Sequence, residues 1–272
     1  MFPWALAGKA IASVARRDGK APKLLYWCAE TYRNAHDNWN YDATVNGEFG
    51  LLERLRNLPV EVVFDVGANI GEWSMETARH FPNAAIHAFE IVPETFETLT
   101  ASCGGIESVE CHRFGLSNID GVAVLNYAGA NSLVSSLVGV ERIHRSPFTQ
   151  REVRVRRGDT FCKAAAIDRI DILKIDVEGA ENLVIEGFGN WLVEGRIGLV
   201  QFEYGRANIL TRHLLADYWP FFEQRKYHIG KLMPDGVDFQ GYSFNAEDFR
   251  GPNYVAVHES RRDLLDAVRR PN

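Results

Sequence analysis

The amino-acid sequence predicts an α/β protein with a doubly wound, mostly parallel sheet and a helical extension at its amino terminus. Three observations carry this reading. Short β-branched runs alternate with helical stretches of about ten residues, the pattern of right-handed βαβ units. A turn with two glycines follows the first of those runs. Acidic residues stand at the carboxyl ends of four strands, the edge where ligands bind in such sheets.

The elements follow in order along the chain. Residues 1–58 read as helical and partly amphipathic, ending at Leu58-Pro59, where proline stops a helix. Their aromatic residues Trp27, Tyr32, Trp39 and Tyr41 read as helix packing, with a sugar-stacking wall as the alternative, and the stretch Tyr26–Tyr41 is expected to fold as a lid over the sheet's carboxyl edge. Val60–Phe64 reads as a buried strand, Gly71–Phe81 as a helix closed by Pro82, and Ala84–Phe89 as the next strand. Pro93 suits the first position of a helix running to about Ser102. Val109–Leu116 and Val122–Tyr127 read as strands, and Arg151–Arg157, where valines alternate with charges, as an edge strand with one solvated face. Ile170–Ile175 is a strongly apolar strand, followed by a helix from about Ala180 to Phe188, a strand at Ile197–Phe202 and a helix over Leu210–Arg225. Late strands are expected at Tyr227–Leu232 and Asn253–Val257. The expected organisation is therefore a helical extension or lid over 1–58, a ligand-binding domain over 59–258 and a tail over 259–272.

Composition limits the function classes. With 272 residues, 46% hydrophobic and 24% charged, the chain is ordinary globular protein. A formal charge of -6 supplies no global basic field, so no nucleic-acid partner is expected. Cys28, Cys103, Cys111 and Cys162 form no C-x-x-C pair and read as reduced thiols. No stretch approaches the roughly 20 apolar residues of a membrane span, and the opening Met1–Lys9 has no basic n-region, so a cytoplasmic location is expected.

The chemistry lies at the strand ends. Asp65-Val66-Gly67-Ala68-Asn69-Ile70-Gly71 places Asn69 where a dinucleotide fingerprint has its second glycine, and puts a carboxylate at the turn. That carboxylate would repel a pyrophosphate and suits an ammonium or a sulfonium. Glu90, 25 positions beyond Asp65, ends the next strand and is placed to accept both ribose hydroxyls. The combination fits S-adenosylmethionine better than a nicotinamide dinucleotide. Asp176 and Glu178 alternate at the end of a third strand, and Glu203 ends a fourth. Glu181 is open to a second reading, complementing the dipole of the helix it starts. His144, with Arg142 and Arg145, reads as a solvated loop residue with a substrate contact as the alternative, while His112, His213 and His228 read as packing or surface residues.

These motifs resemble the FkbM-type methyltransferase family over about residues 60–258. The resemblance rests on Phe64–Gly71, on Ala88-Phe89-Glu90 with Pro93, on Leu173–Glu181 with its Lys-Ile-Asp-Val-Glu-Gly run, and on Phe202-Glu203-Tyr204. Ser135-Ser136-Leu137 is similar to the family's Ser-Ser-Leu loop, whereas Ile91-Val92 departs from a proline that often follows the glutamate. The resemblance implies a class I fold, a seven-stranded Rossmann-like sheet with a reversed last strand, and methyl transfer from S-adenosylmethionine to a hydroxyl. The cofactor-binding set is then Asp65, Gly67, Ala68, Asn69, Gly71, Ser74, Glu90, Ile91, Gly115, Leu116 and Asp176. Gly115 and Leu116 are expected near the adenine.

The expected activity is O-methylation of a sugar, a glycan or another natural product with a free hydroxyl. The alternatives are a nicotinamide-dependent oxidoreductase on a similar sheet and a cofactor-binding member of the fold without turnover. Asp176, Glu178 and Glu203, with His144 outside them, are the candidates for the base that takes the hydroxyl proton. The same three acids are the metal ligands if a divalent cation is used. The metal-free route is favoured, because no histidine accompanies them in a ligand pattern. A homo-oligomer is compatible with the sequence.

Overall fold

The computed structural model describes residues 3–129, 135–139 and 148–271. Three helices come first: α1 (Pro3–Ala15), α2 (Lys20–His36) and α3 (Glu48–Leu55). The alternation begins with β1 (Val62–Val66), α4 (Glu72–His80), β2 (Ala85–Phe89), α5 (Pro93–Cys103) and β3 (Val109–His112). An insertion follows, made of β4 (Gly115–Ser117), β5 (Gly121–Tyr127) and β6 (Thr149–Arg157), and α6 (Gly158–Ala164) leads out of it. Next come β7 (Ile170–Ile175), α7 (Glu181–Gly187), α8 (Asn190–Val193), β8 (Ile197–Glu203), α9 (Ala207–Thr211) and α10 (Leu215–Glu223). The chain closes with β9 (Tyr227–Met233), β10 (Gly236–Asp238), β11 (Asn253–His258) and α11 (Arg262–Val268).

The main sheet has the order β3-β2-β1-β7-β8-β11-β9-β10. Its first five strands pair in parallel, and β11 runs antiparallel between β8 and β9. The chain winds outward from β1 through β2 to β3, then restarts at β7 beside β1 and winds the other way. A crevice therefore opens at the carboxyl ends of β1 and β7, the switch point where doubly wound sheets bind ligands. Strands β7 and β8 are buried on both faces, as a sheet covered by helices on either side requires. Phe64, Leu173 and Val200 pack on one face, while Val63, Ile172 and Leu199 pack on the other.

The structure departs from the sequence reading at definite places. The expected seven strands become eight among the described residues, because Pro234-Asp235-Gly236 turns the chain and folds β10 back onto β9. The expected strand Val109–Leu116 breaks in two, its second piece joining a separate sheet of order β4-β6-β5. Arg151–Arg157 is thus a central strand, paired with β4 and β5 on its two sides, rather than an edge. The helix expected over Leu210–Arg225 is interrupted where Arg212 takes a left-handed φ of 57°. The packed unit is also wider than 59–258. Leu51, Leu52 and Leu55 of α3 and Leu264, Leu265 and Val268 of α11 share one core cluster with Trp73 and Ile86. By contrast, α2 has no buried residue.

Candidate active site

Gly67 follows β1 with φ 84°, and a Cβ there would stand 1.8 Å from the Asp176 carbonyl oxygen. The glycine thus lets the β1 loop cross close to the loop after β7, which is what brings the two strand ends to one point. Gly71, φ 93°, has a different reason: a Cβ would meet Cys103 Sγ at 2.7 Å and Leu99 Cδ1 at 2.8 Å, so its absence lets α4 approach α5. Between them Asn69 adopts a left-handed φ of 49°, and its side-chain Oδ1 is buried without a hydrogen-bond partner.

A cavity of about 210 Å³ occupies this crevice. It is bounded by Gly67, Asn69, Glu90, Ile91, Gly115 and Leu116 together with Asp176, Glu178 and Glu203. Ser135, Ser136 and Leu137 form part of its wall. The structure therefore brings nine of the site residues expected from sequence to one space. Asp65, Ala68, Gly71 and Ser74 do not line it. Asp65 is fully buried beneath the turn, accepting a hydrogen bond from Ser74 Oγ at 2.7 Å and facing Lys174 Nζ at 3.3 Å. Ala68 packs in a small apolar cluster with Ala88, Leu99 and Cys103. These four support the loop from behind. His144 lies outside the described residues.

Glu90 is held from two sides, by the N–H of Asn69 on Oε2 at 3.0 Å and the N–H of Val92 on Oε1 at 2.7 Å. Burial pushes its carboxyl up to about 7 against those two hydrogen bonds, which favour the charged form. Each oxygen has acceptor capacity left and Glu90 lines the cavity, so the carboxylate both fixes the loop and can accept from a ligand hydroxyl.

The three acids crowd one another. Ligand-capable oxygens of Asp176, Glu178 and Glu203 all lie within 4.8 Å of each other. Burial, then the neighbouring Asp176 and Glu181, push Glu178 up to about 9. Burial and Glu178 raise Glu203 well above the usual carboxylate range. Lys174 Nζ stands 3.1 Å from Asp176. Burial alone would depress the Lys174 ammonium, but Asp176, Asp65 and Glu48 outweigh that and hold it above its ordinary value. Like charges this close cannot all ionise at neutral pH, so Glu178 and Glu203 hold on to their protons there.

Backbone strain aims one of these acids. Glu178 has a left-handed φ of 56° and is followed by Gly179 at 98°, a conformation costing a non-glycine residue roughly 1–2 kcal/mol. It is pinned by Ser136 Oγ donating to the Glu178 carbonyl at 2.7 Å. Glu181 Oε1 adds to this by accepting the N–H groups of Val177 and Gly179 at 3.1 and 3.0 Å. Glu181 is thus a brace for the loop. Tyr41, at the end of the aromatic stretch singled out in the sequence, also lines the cavity, as does Glu48, which carried no sequence signal and whose carboxylate accepts from Asn46 Nδ2 at 2.8 Å and Gln201 Nε2 at 3.1 Å. Asn46-Gly47-Glu48 matches no catalytic pattern.

A doubly wound sheet with a reversed strand next to its edge hairpin, and a cleft with an acid at the second strand tip, defines a class I methyltransferase fold. The chain belongs to the methyltransferase FkbM domain family, whose domain matches residues 65–229. It is 30% identical over 168 residues to methyltransferase sdnD of Sordaria araneosa, covering 49% of this chain and 62% of that one. It is 27% identical over 147 residues to the hexuronic acid methyltransferase AglP of Haloferax volcanii, covering 53% and 57%. The 2-O-methyltransferase NoeI of Sinorhizobium fredii is 24% identical over 188 residues, covering 64% and 75%. The matched stretch spans less than two thirds of the length of the first two relatives. No described helix is long and apolar enough to cross a membrane.

Proposed function

We propose that this protein transfers the methyl group of S-adenosylmethionine to a hydroxyl group of a sugar or another natural product. The observation that carries the reading is one cavity lined both by Asn69 and Glu90 and by three carboxylates. The buried, unpartnered Asn69 Oδ1 asks for a donor from a ligand, and Glu90 offers acceptors at the distance of a strand tip. Asn69, Glu90 and the Gly67 backbone would hold the cofactor, with Ile91, Gly115 and Leu116 against its apolar ring. Bound there, S-adenosylmethionine supplies an electrophilic methyl group on a sulfonium.

The chain's own residues then have two tasks. They must align the acceptor oxygen with the methyl carbon, and they must receive its proton. Positioning does most of this work, and a base adds roughly 10²–10⁴-fold. Glu178 and Glu203 are the acids whose crowding makes them basic enough to serve, and Asp176 beside Lys174 completes the acidic wall. The names of the hexuronic acid and 2-O-methyltransferase relatives support an oxygen acceptor. The test is a panel of saccharides, uronic acids and polyketide alcohols incubated with labelled methyl donor, the modified atom being located by fragmentation and NMR. Label on a hydroxyl oxygen is expected; label on nitrogen or carbon, or none with the donor bound, overturns the reading.

A further inference from the structure

A second cluster of ligand-type side chains stands away from the cleft, at the β2–β3 edge of the main sheet. In the parallel register of these strands His87 lies opposite Glu110, and His112 follows two positions on, so all three side chains project from one face. His87 Nδ1 is 3.0 Å from His112 Nε2. Glu110 Oε2 lies 3.5 Å from His87 Nδ1, and its other oxygen 3.8 Å from His112 Nδ1. Suitable ligand atoms from all three residues fall within 4.8 Å of one another.

We propose that His87, His112 and Glu110 bind a zinc-class divalent cation. Zinc holds imidazole nitrogen at about 2.0–2.1 Å, so two such ligands at a tetrahedral angle stand about 3.3 Å apart, close to the separation seen here. The rings are already oriented: His112 stacks on Phe89 at 4.7 Å, and Phe161 meets both imidazoles edge-on. Glu110 is 68% exposed on a sheet edge, so it can swing to complete the set without moving backbone. His87 and Glu110 also line an open groove with Pro82 and Glu107, giving an ion access and a fourth position for water.

Binding exchanges the imidazole–imidazole hydrogen bond for two nitrogen–metal bonds and one oxygen–metal bond. The proton between the rings moves to an outward nitrogen, so both imidazoles stay neutral and none is released. The consequence reaches the cleft, because the N–H of Glu90 donates to the carbonyl of His112 at 3.0 Å. An ion here fastens the edge strand to β2 directly behind the acid of the cofactor end.

The experiment is calorimetry of the chelator-stripped full chain with zinc chloride, alongside visible spectroscopy with cobalt(II). One equivalent of zinc, a raised melting temperature and the intense absorption of tetrahedral cobalt are expected. Glu110→Gln, on the exposed side, should weaken zinc roughly tenfold or more while leaving the metal-free melting temperature unchanged. His112→Asn should abolish binding, and Glu203→Gln should leave it intact. No zinc heat with the stripped protein, equal affinity in Glu110→Gln, or loss in Glu203→Gln instead, each overturns the site.

Discussion

Lys174 and Asp65 face each other in register on neighbouring parallel strands, almost wholly withdrawn from solvent, with the ammonium 3.3 Å from the carboxylate. The same ammonium stands 3.1 Å from Asp176, so one cation underlies both the first strand turn and the acidic wall. Breaking a buried pair leaves an uncompensated charge and costs about 3–5 kcal/mol. Lys174→Met should therefore lower the unfolding free energy measured in urea by that amount, and adding Asp65→Asn should recover a large part of it. A single variant as stable as the parent would show that Asp65 finds its counter-charge elsewhere.

Glu90 does two things at once, holding the N–H groups of Asn69 and Val92 and lining the cavity. Glu90→Gln keeps one acceptor and replaces the other with a donor that clashes with an N–H. Loss of a charge-assisted hydrogen bond and the misplaced donor should weaken S-adenosylmethionine or S-adenosylhomocysteine by about 1.5–3 kcal/mol, measured by calorimetry. Unchanged affinity removes Glu90 from the cofactor end.

The strand tips were legible because their chemistry is local. An apolar run followed by Asp, Glu or Gly names its own place at a carboxyl edge, and Glu90, Asp176, Glu178 and Glu203 all reach the cavity. Legibility failed where a neighbour decides. Asp65 reads from sequence as a ligand group, yet the Lys174 that claims it is 109 positions away. Gly71 reads as a ligand turn, yet the atoms a Cβ would strike belong to Cys103 and Leu99 of a packed helix. Glu48 carried no motif, and only the fold brings it beside Gln201. The metal-type cluster was invisible for the same reason: strand pairing supplies the register that joins His87 to Glu110.

The amino-terminal segment divides into a loosely held part and a built-in part. α2 buries nothing, whereas Asn38 donates to the carbonyls of Asn46 and Leu232 at 2.7 and 3.0 Å, and Glu48 bonds to Gln201. A chain beginning at Asp37, which lacks α2, should keep the parent's urea midpoint. One beginning at Leu51 should lose several buried hydrogen bonds, each worth about 1 kcal/mol, and unfold at lower denaturant. Equal midpoints for both would mean that Asn38 and Glu48 are passengers.

The acidic wall should trade stability against turnover, and pH sets the exchange. An exposed glutamate ionises near 4.3, but burial and Asp176 hold Glu178 up near 9, and Glu203 is raised with it. Between those limits the folded chain binds more protons than the unfolded one, so stability falls as pH rises. Glu178→Gln and Glu203→Gln remove a charge that the fold must keep neutral. Each should melt higher than the parent at pH 8, by roughly 2–4 °C for every kcal/mol released, with the advantage vanishing at pH 4. Turnover runs the opposite way. The proton-accepting form gains population as pH rises, so the parent's kcat should climb between about pH 7 and 9, and the variant lacking the base should lose both rate and slope. Magnesium or calcium, added after chelation, should leave that profile in place; a profile displaced to lower pH would mean that a cation, not the crowding of the acids, controls their charge. If both glutamines keep the parent's rate and pH dependence, the proton leaves the acceptor by another path and the wall is structural.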